Sequence, residues 1–216
     1  MNSLSVGTAP SVRLSGIRLA YGEVTVLSGI DLHADPGALT VVVGPNGSGK
    51  SSLLEIVAGV RNGWTGRRRV EGAVAFVPQR AAIPATLPVT AGDVVGVGAG
   101  ARHGMWRRAD AESRERVATA LARLEISALA GAPFSTLSGG QQQRALLAQG
   151  LARGADILLL DEPTTGLDTE SSGRIRAVMS EERSRGVALV CVSHDEAVIE
   201  DADRVVRLEG GRVVRE

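Results

Sequence analysis

A glycine-rich octet, Gly44-Pro-Asn-Gly-Ser-Gly-Lys-Ser51, constrains the fold of this chain more than any other feature of its sequence. It lies between an apolar, β-branched run at Ala38–Val43 and a segment with helical spacing at Lys50–Gly59. Such a strand–loop–helix unit is the P-loop pattern, in which backbone N–H groups surround phosphates, a lysine reaches the outer phosphates and a hydroxyl binds magnesium. The pattern predicts an α/β domain that binds a nucleoside triphosphate.

The residue types within the octet divide the work of phosphate binding. Glycine lets the backbone approach a phosphate closely, lysine reaches the β- and γ-phosphates, and the hydroxyl after it ligates magnesium. A second hydroxyl at Ser52 is placed to bond the α-phosphate. The candidate phosphate contacts are therefore Gly44, Pro45, Asn46, Gly47, Ser48, Gly49, Lys50, Ser51 and Ser52.

A second anion-binding signal occurs at Leu137-Ser-Gly-Gly-Gln141. It opens a segment with helical spacing, Gly139–Ala152, and the first N–H groups of a helix favour an anion. One nucleotide does not readily use two such cradles on one face of one domain. The pair predicts a nucleotide clamped between two copies of the chain.

Polar residues follow three apolar runs that read as strands. Asp161-Glu162 follows Ile157–Leu160, His194 follows Val187–Val192, and Gln79 follows Gly72–Val77. Polar residues just past the ends of buried strands indicate a mostly parallel sheet with its ligands at that edge.

The two adjacent carboxylates at this edge suit different tasks. Asp161 can hold the magnesium shell. Glu162 points elsewhere and can orient or deprotonate water, although capping the chain before Pro163 is the structural alternative. The position of His194 favours contact with the γ-phosphate.

The remaining segments complete the predicted architecture. Val12–Leu19 is predicted as a strand at an edge, and Val205–Leu208 with Arg212–Val214 as a closing hairpin. The stretch from 90 to 150, with helical spacing at Asp110–Leu124, is predicted to be an inserted helical subdomain. The α/β core then comprises 1–89 and 151–216 of a single domain. The basic runs Arg67–Arg69 and Trp106–Arg108 are interpreted as a solvated loop and a surface turn.

Composition narrows the classes of function. Lys+Arg and Asp+Glu number 24 each, and this balance argues against nucleic-acid binding by bulk electrostatics. No apolar run approaches the ~20 residues that span a bilayer, and Met1–Thr8 lacks the features of a signal peptide. The chain is therefore expected to be soluble and to reach a membrane only through a partner. Cys191 lies in an apolar run and is expected in the core.

These motifs, in this order, resemble the nucleotide-binding ATPase subunits of ABC transporters over nearly the whole chain. The octet corresponds to Walker A and Leu137–Gln141 to the signature motif. The other correspondences are Gln79 with the Q-loop, Ile157–Asp161 with Walker B, Gly166–Asp168 with the D-loop, His194 with the switch histidine and Tyr21 with the aromatic that stacks on adenine. The resemblance implies an α/β fold: a P-loop NTPase (RecA-like) core with a mostly parallel sheet, an antiparallel β edge and the helical insertion.

The resemblance also implies a mechanism. Glu162 is the expected general base, acting with His194, Gln79 and Lys50, and Mg²⁺ is expected on Ser51, Gln79 and Asp161. Two subunits would sandwich two ATP molecules, with Walker A of one facing the signature motif of the other. Ser138, Gly139, Gly140 and Gln141 would then contact the ATP of the partner, and Asp168 would link the two sites.

The implied partners are a second copy of the chain in the ATP-bound state, a transmembrane permease subunit and, indirectly, an extracytoplasmic substrate-binding protein. The implied location is the cytoplasmic face of the cell membrane, with no role for nucleic acid.

The cargo is indicated by a weaker resemblance. Phe76–Arg80, Leu87–Thr90 and Asp93–Val95 are similar to the ATPases of zinc and manganese importers, whereas Gly96–Ala99 departs from their pattern. Uptake of an iron chelate or cobalamin, an exporter, and a soluble ATPase of iron–sulfur assembly stay open as alternatives. An ordinary P-loop kinase or GTPase does not explain Leu137–Gln141.

Overall fold

The computed structural model of the chain describes residues 11–80, 83–84, 86–100 and 110–214. The described residues form nine strands and six α-helices. The strands are β1 Ser11–Tyr21, β2 Val24–Ala34, β3 Leu39–Val43, β4 Trp64–Glu71, β5 Val74–Val77, β6 Ile157–Asp161, β7 Ala188–Val192, β8 Arg204–Glu209 and β9 Arg212–Val214. The helices are α1 Lys50–Ala58, α2 Ala91–Gly100, α3 Ala111–Arg123, α4 Gly139–Ala152, α5 Thr169–Ser184 and α6 Glu196–Glu200.

The larger sheet has six strands in the order β5-β6-β7-β3-β8-β9. The first five are parallel, and β9 closes the edge as an antiparallel hairpin with β8. Its central strands β3, β6 and β7 are buried at every position, because both faces of a parallel sheet are covered. The predicted α/β class, the mostly parallel sheet and the closing hairpin are confirmed.

The smaller sheet is antiparallel, in the order β2-β1-β4. The prediction of an edge position for Val12–Leu19 was wrong, because β1 pairs with β2 on one side and with β4 on the other. The interpretation of Arg67–Arg69 as a loop was also wrong. These residues lie in β4, where Arg68 turns inward and donates to the Val57 carbonyl at 2.7 Å, while Arg67 and Arg69 face solvent.

Two apolar cores lie on opposite faces of the larger sheet. One joins α1 and the antiparallel sheet to Val42 and Val190, and the other joins α2–α5 to Val41 and Cys191. Cys191 is fully buried, as expected, and burial raises the pKa of its thiol. An uncharged, inaccessible thiol is unreactive.

The helices of the 90–150 stretch pack on one another, and α4 also contacts β5 and α5 of the core. Helix α4 continues to Ala152, so the predicted division after residue 150 falls inside a helix. Trp106–Arg108 and Met1–Thr8 lie outside the described residues. No helix in the described ranges is long and apolar enough to cross a membrane.

Candidate functional site

The backbone between β3 and α1 is folded into a conformation that glycine permits. Gly44, Gly47 and Gly49 have φ of 147°, 80° and 99°. A Cβ on Gly44 would lie 2.0 Å from the Leu208 carbonyl oxygen, and one on Gly49 would lie 2.6 Å from a Leu27 methyl group. The glycines are therefore needed for the close packing of the loop against β8 and β2 as well as for its dihedral angles.

This loop concentrates donors at the start of α1. The first intrahelical bond runs from the Leu53 N–H to the Gly49 carbonyl at 2.9 Å, so the three preceding N–H groups of α1 have no helical carbonyl to bond. The ammonium of Lys50 is buried and donates to the carbonyls of Gly44 and Pro45, at 2.8 and 3.0 Å. The Ser48 hydroxyl is buried without a hydrogen-bond partner in the described part of the chain. Such an excess of donors fits a polyphosphate.

The loop forms one wall of a cavity of about 890 Å³. Its lining brings the glycine-rich octet together with three residues predicted from the ends of other strands. The lining residues are Val26, Asn46, Gly47, Gly49, Lys50, Ser51, Ser52, Gln79, Glu162, Thr165 and His194. Residues more than 100 positions apart thus meet because the carboxyl ends of β3, β5, β6 and β7 share one sheet edge.

Glu162 is held by contacts to both of its carboxylate oxygens. One oxygen lies 3.2 Å from His194 Nε2, and the other accepts a hydrogen bond from the Thr165 hydroxyl at 2.7 Å. The backbone of Glu162 is left-handed, with φ of 49°, which is uncommon for a residue other than glycine. Its N–H donates to the Val192 carbonyl at 2.9 Å, and this bond ties the turn to the neighbouring strand. The result is a nearly buried carboxylate aimed into the cavity.

Asp161 is buried at the end of β6, and desolvation raises the pKa of its carboxyl above the usual range. The Ser51 hydroxyl donates to it and Lys50 lies near it, and both partly offset the shift, whereas the charges of Glu162 and Glu55 add to it. A carboxylate and a hydroxyl are oxygen ligands of the kind that Mg²⁺ prefers. A divalent cation would also relieve the unfavourable desolvation, so these residues fit the predicted magnesium site.

Tyr21 is not part of the cavity lining. It ends β1, opposite Val24 across the turn into β2, and its side chain is 48% exposed. The guanidinium of Arg61, which is ion-paired with Glu55, lies 5.6 Å from the centre of the ring. The aromatic face is therefore in contact with a cation in this structure.

The second anion cradle lies away from the cavity, since none of Leu137–Gln141 lines it. Ser138 caps α4 in a capping box, in which its hydroxyl accepts from the Gln141 N–H at 3.3 Å while the Gln141 side chain accepts from the Ser138 N–H at 2.9 Å. Gly139 and Gly140 precede the first bond of the helix, from the Gln142 N–H to the Ser138 carbonyl.

The start of α4 lies against the start of α5. A Cβ on Gly140 would lie 2.6 Å from the Ser171 hydroxyl and 3.4 Å from the Asp168 carboxylate. Asp168 caps α5 and accepts from the Ser171 N–H at 2.7 Å, and this bond lowers the pKa of its carboxyl. The two cradles of one chain are therefore separate, and the signature segment is instead joined to the predicted D-loop.

Two lining residues were not predicted from the sequence, namely Val26 and Thr165. Val26 belongs to β2, a strand that the sequence analysis did not identify. Thr165 lies three residues after Glu162, in the turn closed by its N–H bond to the Glu162 carbonyl at 3.3 Å. The only signal for it in the sequence was a hydroxyl residue three positions after Glu162, the candidate general base.

The strand–loop–helix geometry, the donor cluster and the carboxylate pair at the ends of parallel strands define the class of this protein. It is a P-loop protein of the kind that binds nucleoside triphosphates.

Comparison with known proteins refines this class. Residues 27–165 match the ABC transporter family. The chain is 35% identical over 210 residues to the zinc transport system ATP-binding protein TroB of Treponema pallidum, covering 93% of this chain and 79% of the relative. It is 37% identical over 203 residues to the zinc import ATP-binding protein ZnuC of Roseobacter denitrificans, covering 92% and 75%. It is 39% identical over 210 residues to the hemin import ATP-binding protein HmuV of Streptomyces coelicolor, covering 92% and 74%.

Among solved structures, the chain is similar to the ATP-binding cassette MJ0796, whose dimeric post-hydrolysis state is bound to ADP and Pi. The TM-score is 0.84 at 27% sequence identity, with 94% of this chain and 97% of that chain covered. The chain belongs to the ABC transporter family, as an ATP-binding subunit. It is an ABC-type ATPase, which couples ATP hydrolysis to transport.

Proposed function

We propose that this chain powers a bacterial importer of a divalent metal, with zinc as the first expectation and manganese as the second. The observation that carries this proposal is its identity of about one third, over most of its length, to ATP-binding proteins named for zinc or manganese transport. The resemblance of Phe76–Arg80, Leu87–Thr90 and Asp93–Val95 to such ATPases supports it.

In the proposed reaction the octet binds the triphosphate of ATP. The free N–H groups of α1 and the Lys50 ammonium, which now bonds the Gly44 and Pro45 carbonyls, would turn to the phosphate oxygens. Ser51, Asp161 and Gln79 are the proposed holders of Mg²⁺. When bound, the ion would neutralise the negative charge that develops on the triphosphate during the reaction.

Glu162 is the proposed general base. A water between its carboxylate and the γ-phosphorus attacks in line, its proton passes to Glu162, and the bond from phosphorus to the β,γ-bridging oxygen breaks to release ADP. His194 is the proposed donor to a γ-phosphate oxygen, and its contact with Glu162 supports this role.

The site is proposed to be completed by a second copy of the chain. The separation of the two cradles within one subunit supports this, because Ser138, Gly139, Gly140 and Gln141 lie outside the cavity that holds the octet. The contact of Gly140 with Ser171 and Asp168 would let D-loop movement reach the signature segment. Tyr21 is the proposed stacking partner of adenine.

The membrane partner is proposed to be a permease subunit at the cytoplasmic face, served outside the membrane by a substrate-binding protein. Hemin uptake is the second candidate cargo, favoured by the 39% identity to a hemin import protein.

Growth of a deletion strain under separate limitation for zinc, manganese and heme iron tests the cargo. The proposal predicts that growth fails under zinc or manganese limitation and is restored by the wild-type gene. The Lys50→Ala variant should not restore it, which makes it the control for ATP use. A defect confined to hemin utilisation would select the second candidate and reject the first.

The role of Glu162 is tested separately by Glu162→Gln, which keeps the shape of the side chain and removes its basicity. ATP-bound dimers should accumulate while turnover nearly ceases, and Glu200→Gln, a change at an exposed position, serves as the control. Retention of full hydrolysis in Glu162→Gln would reject Glu162 as the base.

A further inference from the structure

A second large cleft, of about 1090 Å³, lies between the antiparallel sheet and the β8–β9 hairpin. It shares no lining residue with the nucleotide cavity. Five arginines from three different strands line it, namely Arg13, Arg18, Arg204, Arg207 and Arg212. The chain as a whole has no net charge, so this concentration of guanidinium groups is a local property of the cleft.

The walls of the cleft are fixed by backbone contacts. The Ser28 N–H of β2 donates to the Gly211 carbonyl in the hairpin turn at 2.7 Å. A Cβ on Gly211 would lie 2.4 Å from the Val26 carbonyl oxygen, so the turn and β2 are in close contact. At the other end, the guanidinium group of Arg204 donates a hydrogen bond to the His33 carbonyl at 3.3 Å. The cleft is preformed and does not depend on a loop closing over it.

The described residues that line the cleft include more basic than acidic side chains. Among the described residues that line it, Asp31 is the sole carboxylate, and it accepts from the Gly16 N–H at 2.7 Å. The guanidinium groups of Arg13, Arg18 and Arg212 form no ion pair or hydrogen bond within the described ranges.

The register of the strands places another arginine beside Arg13. Arg13 lies opposite Arg69 on β4 and opposite His33 on β2. The carboxylate of Asp35 contacts His33, and that of Glu71 is ion-paired with Arg69. Glu209 lies opposite Arg212 across the hairpin but does not line the cleft. Like charges directly opposite one another in a sheet are unfavourable, and a bound anion would offset that cost.

We propose that this cleft binds a small organic anion that carries several phosphate groups. Guanidinium groups match phosphate oxygens with paired hydrogen bonds, and five of them suit a ligand with several negative charges. Exposed Val205, Val213 and Val214 on the hairpin wall offer apolar contact to the organic part of such a ligand.

The lining distinguishes this ligand from other polyanions. Among the described residues that line it there is no Phe, Tyr or Trp on which a nucleobase of a single strand would stack. The arginines occupy the two walls of a concave site, which suits a small ligand held between them.

The test uses the full chain and inorganic tripolyphosphate as the probe, titrated calorimetrically at physiological ionic strength. Wild type should bind it at two sites, the nucleotide cavity and the cleft. A triple variant, Arg13→Gln, Arg18→Gln and Arg212→Gln, should lose one site or bind there about tenfold more weakly, since three guanidinium contacts disappear together. The matched control, Arg114→Gln, Arg153→Gln and Arg185→Gln, removes the same charge elsewhere and should keep both sites.

ATP hydrolysis serves as the internal check on folding, because none of the three substituted arginines of the cleft lines the nucleotide cavity. It should be unchanged in both triple variants. Equal loss of tripolyphosphate binding in the control variant would overturn the proposal in favour of bulk charge. Citrate binding as tight as that of tripolyphosphate would reject a phosphate site. Vesicles of equal parts phosphatidylcholine and phosphatidylglycerol test a membrane contact. If the cleft triple variant loses binding to these vesicles but keeps both tripolyphosphate sites, the cleft contacts a membrane instead.

Discussion

Replacing Gly98 by alanine would place a methyl group inside the backbone of a neighbouring helix. Gly98 is buried in α2, and its Cβ would lie 1.9 Å from the carbonyl oxygen of Gln149 in α4. Because the obstacle is backbone, no side-chain rotation relieves the clash, and the two helices must separate. Gly96 lies in the same helix, and a Cβ there meets nothing within 4 Å. The pair therefore separates packing from helix propensity.

The expected changes in unfolding free energy have opposite signs for the two variants. Overpacking costs about 1–3 kcal/mol, and a backbone clash favours the upper end of that range. Alanine gains about 1 kcal/mol over glycine within a helix. Gly98→Ala should therefore lose about 2 kcal/mol of unfolding free energy, whereas Gly96→Ala should gain about 1 kcal/mol. For a domain of this size the difference corresponds to roughly 6–12 °C in Tm.

Thermal unfolding followed by circular dichroism, without nucleotide, measures both variants against wild type. Because α2 and α4 are in backbone contact at Gly98, Gly98→Ala should unfold at a lower temperature than wild type, and Gly96→Ala at a higher one. If Gly98→Ala unfolds at or above the wild-type temperature, α2 and α4 do not approach as closely as described.

Two further predictions concern the site. Thr165→Val removes the hydrogen bond to the Glu162 carboxylate without changing side-chain volume, and should lower kcat about tenfold with little effect on KM. Thr165→Ser keeps the hydroxyl and should keep most of the activity. Equal activity of the two variants would show that the bond does not position Glu162. Asp161→Asn should abolish Mg²⁺-dependent hydrolysis yet stabilise the nucleotide-free chain at neutral pH. The folded-state pKa of Asp161 is raised, so the folded chain holds its proton more tightly than the unfolded chain does. The stability deficit of wild type relative to the Asp161→Asn variant should therefore be absent below the unfolded-state pKa and grow as pH rises through the folded-state pKa. Urea unfolding of both proteins across that range measures this deficit. A difference in unfolding free energy that does not change with pH would contradict the reasoning.

The elements predicted well from the sequence have continuous or strongly periodic patterns. The β-branched run before the octet and the apolar runs before Asp161 and His194 became β3, β6 and β7, because a strand covered on both faces carries few polar residues. The helix at Gly139–Ala152 has its predicted bounds, since Ser138 and Gln141 form a capping box that specifies where it begins.

The antiparallel sheet was poorly predicted for a physical reason. Its strands are exposed on one face, and shifts in the pairing of β1 with β2 and β4 interrupt the two-residue alternation. The central position of β1 depends on pairing with β4, some 50 residues away, which local patterning does not specify. Arg67–Arg69 looked like a loop because two of its three arginines face solvent.

Most residues that line the cavity were predicted from the sequence, but Val26, Thr165 and the side-chain contacts were not. The direction of the Glu162 carboxylate follows from a left-handed backbone that is rare for glutamate. Its bond to Thr165 depends on that conformation, and no spacing rule states it. The position of Tyr21 outside the cavity lining likewise depends on tertiary contacts with Arg61.

The composite site is tested most directly by cross-linking two single-cysteine variants in a Glu162→Gln background. Asn46→Cys places a thiol at an exposed position of the octet, and Gly139→Cys places one at the start of α4, where a Cβ meets nothing within 4 Å. Cys191 is fully buried, so only the introduced thiols should react. When the variants are mixed with ATP and a mild oxidant, a disulfide-linked two-chain species containing one of each should form, and without nucleotide it should not. Absence of that species with ATP, or equal yield without nucleotide, would contradict the proposal that the octet of one chain faces the signature segment of another.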